Sequence, residues 1–362
     1  MTVHPASTNT EPAPPPRTAE APGAGTEARG GTAGRRVNRR ILGLLVAIAV
    51  AIAVLQTINA NFLTLANVLT LLQSMSALAI LSLGLTFVIL TGELDLSVGS
   101  VFGFSPMISA LMWVNGVPML VSVLTGLVLG CLIGLVNGWI VTRVDIPSFI
   151  VTLGTMSIVY GVTLLLSEAA SVDPQYPANG HPVPAGEYHV FRAIAASQVL
   201  PNLANQIWWF LGIAVLLWVL RHRTIFGFRL IAIGGSVESA RTAKINVRRY
   251  LVIVFVLAGF LAALAGMLEF SFLGSTDPNA GQNLLFPAFA AVIVGGTSLN
   301  GGVGTISGTV VGSILLAILD NGLTLIGVGS YTQLIFVGFI TIAAVALDRW
   351  TTSRHQPGVY RT

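Results

Sequence analysis

The chain has 362 residues, of which 54% are hydrophobic and only 9% charged, with a mean hydropathy of +0.83. A soluble domain carries about 25% charged residues, so these proportions exclude a soluble globular fold and predict an all-α polytopic membrane protein. The formal net charge is +4, and its placement says more than its size.

Residues 1–34 are rich in Pro, Ala, Gly, Thr and Glu and carry almost no large apolar side chains. Such a segment cannot bury enough surface to fold and is expected to be a disordered tail. It lacks the charged start and apolar core of a signal peptide. Arg35, Arg36, Arg39 and Arg40 then stand directly before the first apolar run. Positive residues are retained on the cytoplasmic side, which sets the N-terminus inside. The chain divides accordingly into a basic cytoplasmic tail (1–40), a membrane domain (41–347) and a cytoplasmic C-terminal tail (348–362).

Ten apolar spans follow, near 41–59, 67–90, 96–114, 119–141, 148–167, 207–220, 250–272, 285–299, 304–327 and 331–347. Alternating sides from an inside start places 17 of the 18 Lys and Arg in the cytoplasm and leaves only Arg192 outside. Short Gly-rich spans are also compatible with paired half-helices. The one long external segment, 168–206, holds Pro174, Pro177, Pro182 and Pro184 and leads to Trp208-Trp209 at the next membrane border. Its length allows a hairpin or a short helix, and the Trp pair fits an aromatic belt.

Between Leu220 and Leu251 lies a charged, Gly-interrupted island with Arg221, Arg223, Arg229, Arg241, Lys244, Arg248 and Arg249. A basic inside loop that only fixes orientation would not need a helix-like core over 236–245 after Gly234-Gly235. Ser236 is placed to cap that helix, and Glu238 suits its positive end. The cytoplasmic loop 221–249 reads as a docking knob for a cytoplasmic partner.

A weak internal repeat runs through the spans. Asn137-Gly138 precedes Gly154 as Asn321-Gly322 precedes Gly338, and Val88-Ile89 before TGELDLSVGSVFG resembles Val292-Ile293 before GGTSLNGGVGTISG. Taken as five spans apart, an odd offset, the repeats predict two inverted five-helix halves, with chance matching among 39 glycines as the competing explanation.

Several chemistries find no footing. Lys244 is the only lysine and follows Ala243, so no Gly-Lys-Ser/Thr phosphate loop exists and the chain has no ATP site of that kind. HExxH and GxSxG motifs are absent, and Cys131 stands alone in an apolar run. No catalytic residue, metal site, bound cofactor or nucleic-acid partner is expected. The polar residues in or near the spans include Glu93, Asp95, Glu269, Asn300, Asp320 and Asn321. A carboxylate near the bilayer centre costs about 2.5–3.5 kcal/mol, so these must face protein or water. Glu93, Asp95, Asn300, Asp320 and Asn321 are candidates for a translocation pathway. For Asp95 a simple helix-capping role stands equally open. For Asp320 and Asn321 interhelical hydrogen bonding does. Gly126, Gly130, Gly134 and Gly138 recur on one helix face, with Gly308 and Gly312 later, as small-residue packing surfaces.

Three stretches, GLTFVILTGELDLSVGS (84–100), FGFRLIAIGGSVESARTAKINV (226–247) and VGGTSLNGGVGTISGTVVGSILLAILDNGLTLIGV (294–328), resemble the membrane permease subunits of bacterial ATP-binding cassette sugar importers of the ribose/xylose/galactoside type. The resemblance covers about 41–347. It implies ten spans per subunit, a second permease copy, an ATPase dimer carrying ATP and Mg in the cytoplasm, and an extracytoplasmic sugar-binding protein, all at the plasma membrane. It also implies that Gly234, Gly235, Glu238, Ala240 and Arg241 belong to an ATPase-coupling loop. Asp320 and Val303 depart from the family, where an amide and a basic residue are expected. A secondary carrier that uses Glu93, Asp95 or Asp320 for protons and a membrane scaffold are the rival readings.

Overall fold

A computed structural model describes residue 2 and residues 30–353, except 181 and 201. The rest of the expected N-terminal tail, and residues 354–362 of the C-terminal one, lie outside the described residues. The chain is mainly helical: α1 (Gly30–Ile58), α2 (Leu65–Leu90), α3 (Ser97–Val114), α4 (Met119–Arg143) and α5 (Ser148–Ser167) come first. A short α6 (Ala185–Ala195) and a two-stranded hairpin, β1 (Gln198–Leu200) with β2 (Leu203–Ala204), follow. Then come α7 (Asn205–His222), α8 (Ile225–Gly235), α9 (Val237–Thr242), α10 (Val247–Leu273), α11 (Gln282–Val294), α12 (Ile306–Leu325) and α13 (Ser330–Ser353).

Among the described residues seven helices are long and apolar enough to cross a membrane, or eight if α7 and α8, bent by 67° at their break, form one span. The expected span at 285–299 is instead α11, of 13 residues. At 1.5 Å per residue it is about 20 Å long, short of the ~30 Å hydrocarbon layer. Gly295 and Gly296 end it and leave 295–305 as irregular backbone packed within the protein.

The core sits on α2, α3 and α10. From Met75 to Leu90 every residue of α2 is buried, the signature of a helix apolar all round and enclosed by others. The glycine stripe of α4 lies over α10. A Cβ at Gly130 would come within 2.7 Å of the Gly259 carbonyl oxygen, and one at Gly138 within 2.8 Å of the Val252 Cα. Gly134 meets the Phe255 backbone, and Gly126 approaches the Ser105 carbonyl of α3. Gly308 and Gly312 of α12 likewise pack on the carbonyls of Gly295 and Ala291. Without side chains at these points the helix backbones approach closely enough for dispersion contacts to hold them.

Loops gather at two ends. At the far end Val172 and Thr276 exchange backbone hydrogen bonds of 2.9 and 3.0 Å, and Asn59 Nδ2 donates to the Leu325 carbonyl at 2.9 Å. Here α6 caps the bundle: Trp113 Nε1 donates to Glu187 Oε2 at 3.0 Å, and Arg192 donates to the Phe272 carbonyl. The near end holds the breaks 91–96 and 295–305 together with α8 and α9. The matching segments around Val88 and Val292 therefore lie at the same end, six helical passes apart rather than five. Gly302 N donates to the Leu90 carbonyl at 2.9 Å across them. That match carries no inversion. Only the Asn137 and Asn321 segments, on α4 and α12, run in opposite senses.

Candidate functional site

The near-end knob is built by three successive caps. Thr224 Oγ1 accepts from Gly227 N at 3.4 Å and starts α8. Ser236 Oγ accepts from Ser239 N at 3.2 Å and starts α9. Asn246 Oδ1 accepts from Arg249 N at 3.1 Å and starts α10. Each satisfies an N–H that the first helical turn leaves without a partner. Glu238 lies in the first turn of α9 and Arg241 in its last, both complementing the helix dipole. The helix is shorter than the 236–245 expected from sequence, because Lys244 takes a left-handed conformation at φ 58° and turns the chain into α10.

Glu238 and Arg241 point outward and are exposed, as is Gly235. Ala240 is on the underside, buried in a small apolar cluster with Ile233, Val247 and Leu251 that seats α9 on α8 and α10. Gly234 has a different task. A Cβ there would collide with the Leu90 carbonyl oxygen and Gly302 N, so α8 closes directly onto both breaks. Gly302, at φ 73°, adopts the left-handed turn this approach requires. Arg229 and Tyr250 join α8 to α10, with Nη1 donating to the phenol oxygen at 2.5 Å. Phe228 and Ile225 are exposed beside them, about 70% accessible.

The five pathway candidates do not converge. Glu93, Asp95 and Asn300 lie at the near end, where the Asn300 carbonyl oxygen is 3.5 Å from the Cβ position of Gly92. Asp320 and Asn321 are toward the far end. Asp95 is buried in the break before α3, where its Oδ1 accepts from Ser97 N at 2.9 Å and Ser97 Oγ at 2.6 Å. Asn137 Nδ2 donates to the same hydroxyl at 2.9 Å, and Thr155 Oγ1 donates to Asn137 Oδ1 at 2.6 Å. A hydrogen-bonded chain thus runs from the break through α4 to α5, while Asp95 Oδ2 has no partner among the described residues. Asp320 is an exposed carboxylate on an apolar helix, whereas Asn321 is paired with Asn67 of α2.

Sequence reasoning missed Arg221 as anything but a topogenic charge. It is only 8% exposed, and its Nη2 donates to the Gly304 carbonyl at 2.9 Å. The signal was present: Phe210, Ile213, Leu217 and Arg221 recur at helical spacing and all face the core. The far-end Tyr188, stacked near Trp113 with centroids 6.3 Å apart, is likewise a packed residue outside the spans. Burial, reinforced by the Asp173 charge, pushes its phenol up from the ordinary value.

The family described as "Branched-chain amino acid transport system / permease component" matches residues 67–345. The chain belongs to this permease family. Three relatives are similar to the permease over most of their length. The Ribose import permease protein RbsC of Escherichia coli strain K12 is 37% identical over 305 residues, covering 84% of the permease and 92% of that relative. RbsC of Bacillus subtilis strain 168 is 37% identical over 309 residues, with 85% and 92% covered. The Galactose/methyl galactoside import permease protein MglC of Haemophilus influenzae is 36% identical over 303 residues, with 80% and 88% covered. These matches extend across the permease's helical bundle, and the family match begins at Asn67 in the first turn of α2.

Proposed function

We propose that this chain is the membrane subunit of an ATP-driven importer that moves a monosaccharide, a pentose, hexose or related polyol, into the cytoplasm. The observation carrying this reading is the match to ribose and galactoside import permeases over nearly their whole length. The knob suits the role. It presents Glu238 and Arg241 outward on a capped helix while Gly234 is fitted against the two breaks at the same end. A cytoplasmic ATPase gripping α9 would apply its nucleotide-driven motion there, and the far end would receive sugar from a binding protein. The chain itself supplies neither ATP nor Mg sites. Both termini would be cytoplasmic in the plasma membrane, with ten helical passes.

A second copy of the permease completes the pathway in this reading. Asp320 supports it, since a carboxylate left on lipid costs about 2.5–3.5 kcal/mol and requires protein or water over it. Glu93, Asp95 and Asn300 would lie near the inner opening, and Asn321 in the outer part.

Purification with a co-expressed ATPase and reconstitution with the binding protein tests this reading. Uptake of labelled ribose or galactose should require ATP and persist without any ion gradient. Exchanging the knob's charges, Glu238→Arg with Arg241→Glu, should abolish binding-protein-stimulated ATP turnover. Uptake driven by a proton gradient alone would favour a secondary carrier instead, and unchanged turnover would remove the knob from its assigned role.

A further inference from the structure

One side chain is out of place in an apolar bundle. Arg221 is only 8% exposed, yet among the described residues no carboxylate pairs with it and its Nε has no hydrogen-bond partner. Burying an unpaired guanidinium is costly, and an apolar residue like Leu217, one turn earlier on the same face, would pack there more cheaply. What Arg221 makes in return is one bond, from Nη2 to the Gly304 carbonyl in the loop between α11 and α12.

The position of that bond gives it meaning. Arg221 is in the last turn of α7, immediately before the 67° bend into α8. At the other end of α8, Gly234 lies against Gly302 N, two residues from Gly304. The end of α7 and the far end of α8, a helix of 11 residues about 16 Å long, are therefore held to the same loop on either side of the bend. The loop is itself a closed unit: Ser298 N donates to the Val303 carbonyl at 2.9 Å and Gly301 N to the Ser298 carbonyl at 3.0 Å. Thr305 Oγ1 then accepts from Gly308 N at 3.1 Å and fuses it to the start of α12. On its other side stands α11, short and with Pro287 inside it.

We propose that Arg221 and Gly234 are positioning residues that clamp α8 to the 295–305 loop, so that displacement of the knob is delivered to α11 and α12. This rests on the import reading above and adds the route by which motion leaves the knob. The other helix leaving the knob, α10, packs closely on α4 along the glycine stripe. Two contacts, one on each side of the α7–α8 bend, transmit rotation as well as translation, which a single contact does not.

The test uses the full complex of permease, ATPase and binding protein in proteoliposomes, comparing wild type with Arg221→Met and Arg221→Lys. The Met variant replaces the apolar stem of the side chain and removes its donor. It should still co-purify with the ATPase and hydrolyse ATP, since Glu238 and Arg241 are untouched, but sugar uptake per ATP should fall about ten-fold. The Lys variant, which can donate to Gly304, should recover most of that ratio. An unchanged ratio in Arg221→Met would overturn the clamp. Should that variant fail to assemble, hydrogen–deuterium exchange on the wild-type complex decides. Adding a non-hydrolysable ATP analogue with Mg should change protection of peptides covering 295–305 in step with those covering 226–247. A response in the knob without one in the loop would refute the proposal. Absence of any ATP-driven uptake by the wild-type complex would instead overturn the import reading on which it rests.

Discussion

Asn67 of α2 and Asn321 of α12 form a reciprocal amide pair, each Nδ2 donating to the other's Oδ1, at 2.9 and 3.0 Å. Asn67 also donates to the Phe62 carbonyl at 2.8 Å, which ties the α1–α2 connection into the same contact. Lower on the same seam, Thr86 and Thr309 share a hydroxyl hydrogen bond of 2.7 Å. The two helices are thus joined by polar bonds at two levels within an otherwise apolar contact.

Replacing either asparagine with valine leaves the other amide without its partner, whereas replacing both removes the need for one. A double-mutant cycle of Asn67→Val and Asn321→Val should show a favourable coupling of about 0.6–1.7 kcal/mol in unfolding measurements in detergent. Strict additivity would mean that the pair contributes nothing beyond its packing.

Asp95 offers one oxygen to Ser97 twice and leaves the other without a partner among the described residues. Asp95→Asn retains an acceptor at Oδ1 and should cost less than about 1 kcal/mol, while Asp95→Ala removes the acceptor for the Ser97 N–H and hydroxyl at the start of α3 and should cost about 1–2 kcal/mol. Thermal unfolding of the two variants checks the order. If Asn were the more damaging, the unpartnered oxygen would be the one that matters.

Gly134 and Gly161 make a contrasting pair. At Gly134 an added carbon would collide with the Phe255 carbonyl, while at Gly161 it would meet nothing within 4 Å. Gly134→Ala should destabilise the chain by about 1–3 kcal/mol, the range for overpacking. Gly161→Ala should leave the unfolding midpoint of the isolated subunit unchanged or slightly raised, since alanine is the better helix former.

Tyr188 gives the far-end cap a pH dependence. Its phenol titrates above the ordinary value of about 10 because burial, then the Asp173 charge, disfavours the phenolate. A group whose folded value is raised contributes stability that is complete below the unfolded value and disappears as pH rises through the folded one. Exchange protection in 185–195 should therefore fall at alkaline pH in the wild type, and fall less steeply in Tyr188→Phe. Identical profiles would detach the cap from this phenol.

The helices were legible because lipid imposes a length and an apolar composition that few other settings require. The knob was legible because Ser236 and Glu238 are cap signals, and Glu238 and Arg241 do emerge on its outer face. The ends of elements were less so. Lys244 stops α9 early in a left-handed conformation that no propensity favours for lysine, and α11 stops at Val294, where the glycine pair Gly295-Gly296 breaks a span expected to reach residue 299. Of the two matches behind the expected repeat, the Asn137 and Asn321 segments run in opposite senses, while the glycine-rich breaks after Val88 and Val292 meet at one end. Arg221 was hidden by its charge: a residue counted among topogenic cations proved to face inward, and only the spacing from Leu217 could have told the difference.

The fit of α8 onto bare backbone has a genetic corollary. Any single-base change that replaces Gly234 adds at least one carbon where the Leu90 oxygen already stands. Missense alleles at that codon should thus behave as nulls in a growth selection, whatever residue they introduce. Its neighbour Gly235, open to solvent, should accept small side chains without a phenotype unless a partner sits directly upon it. Adjacent codons for the same amino acid would then differ in tolerance for reasons that neither composition nor charge reveals.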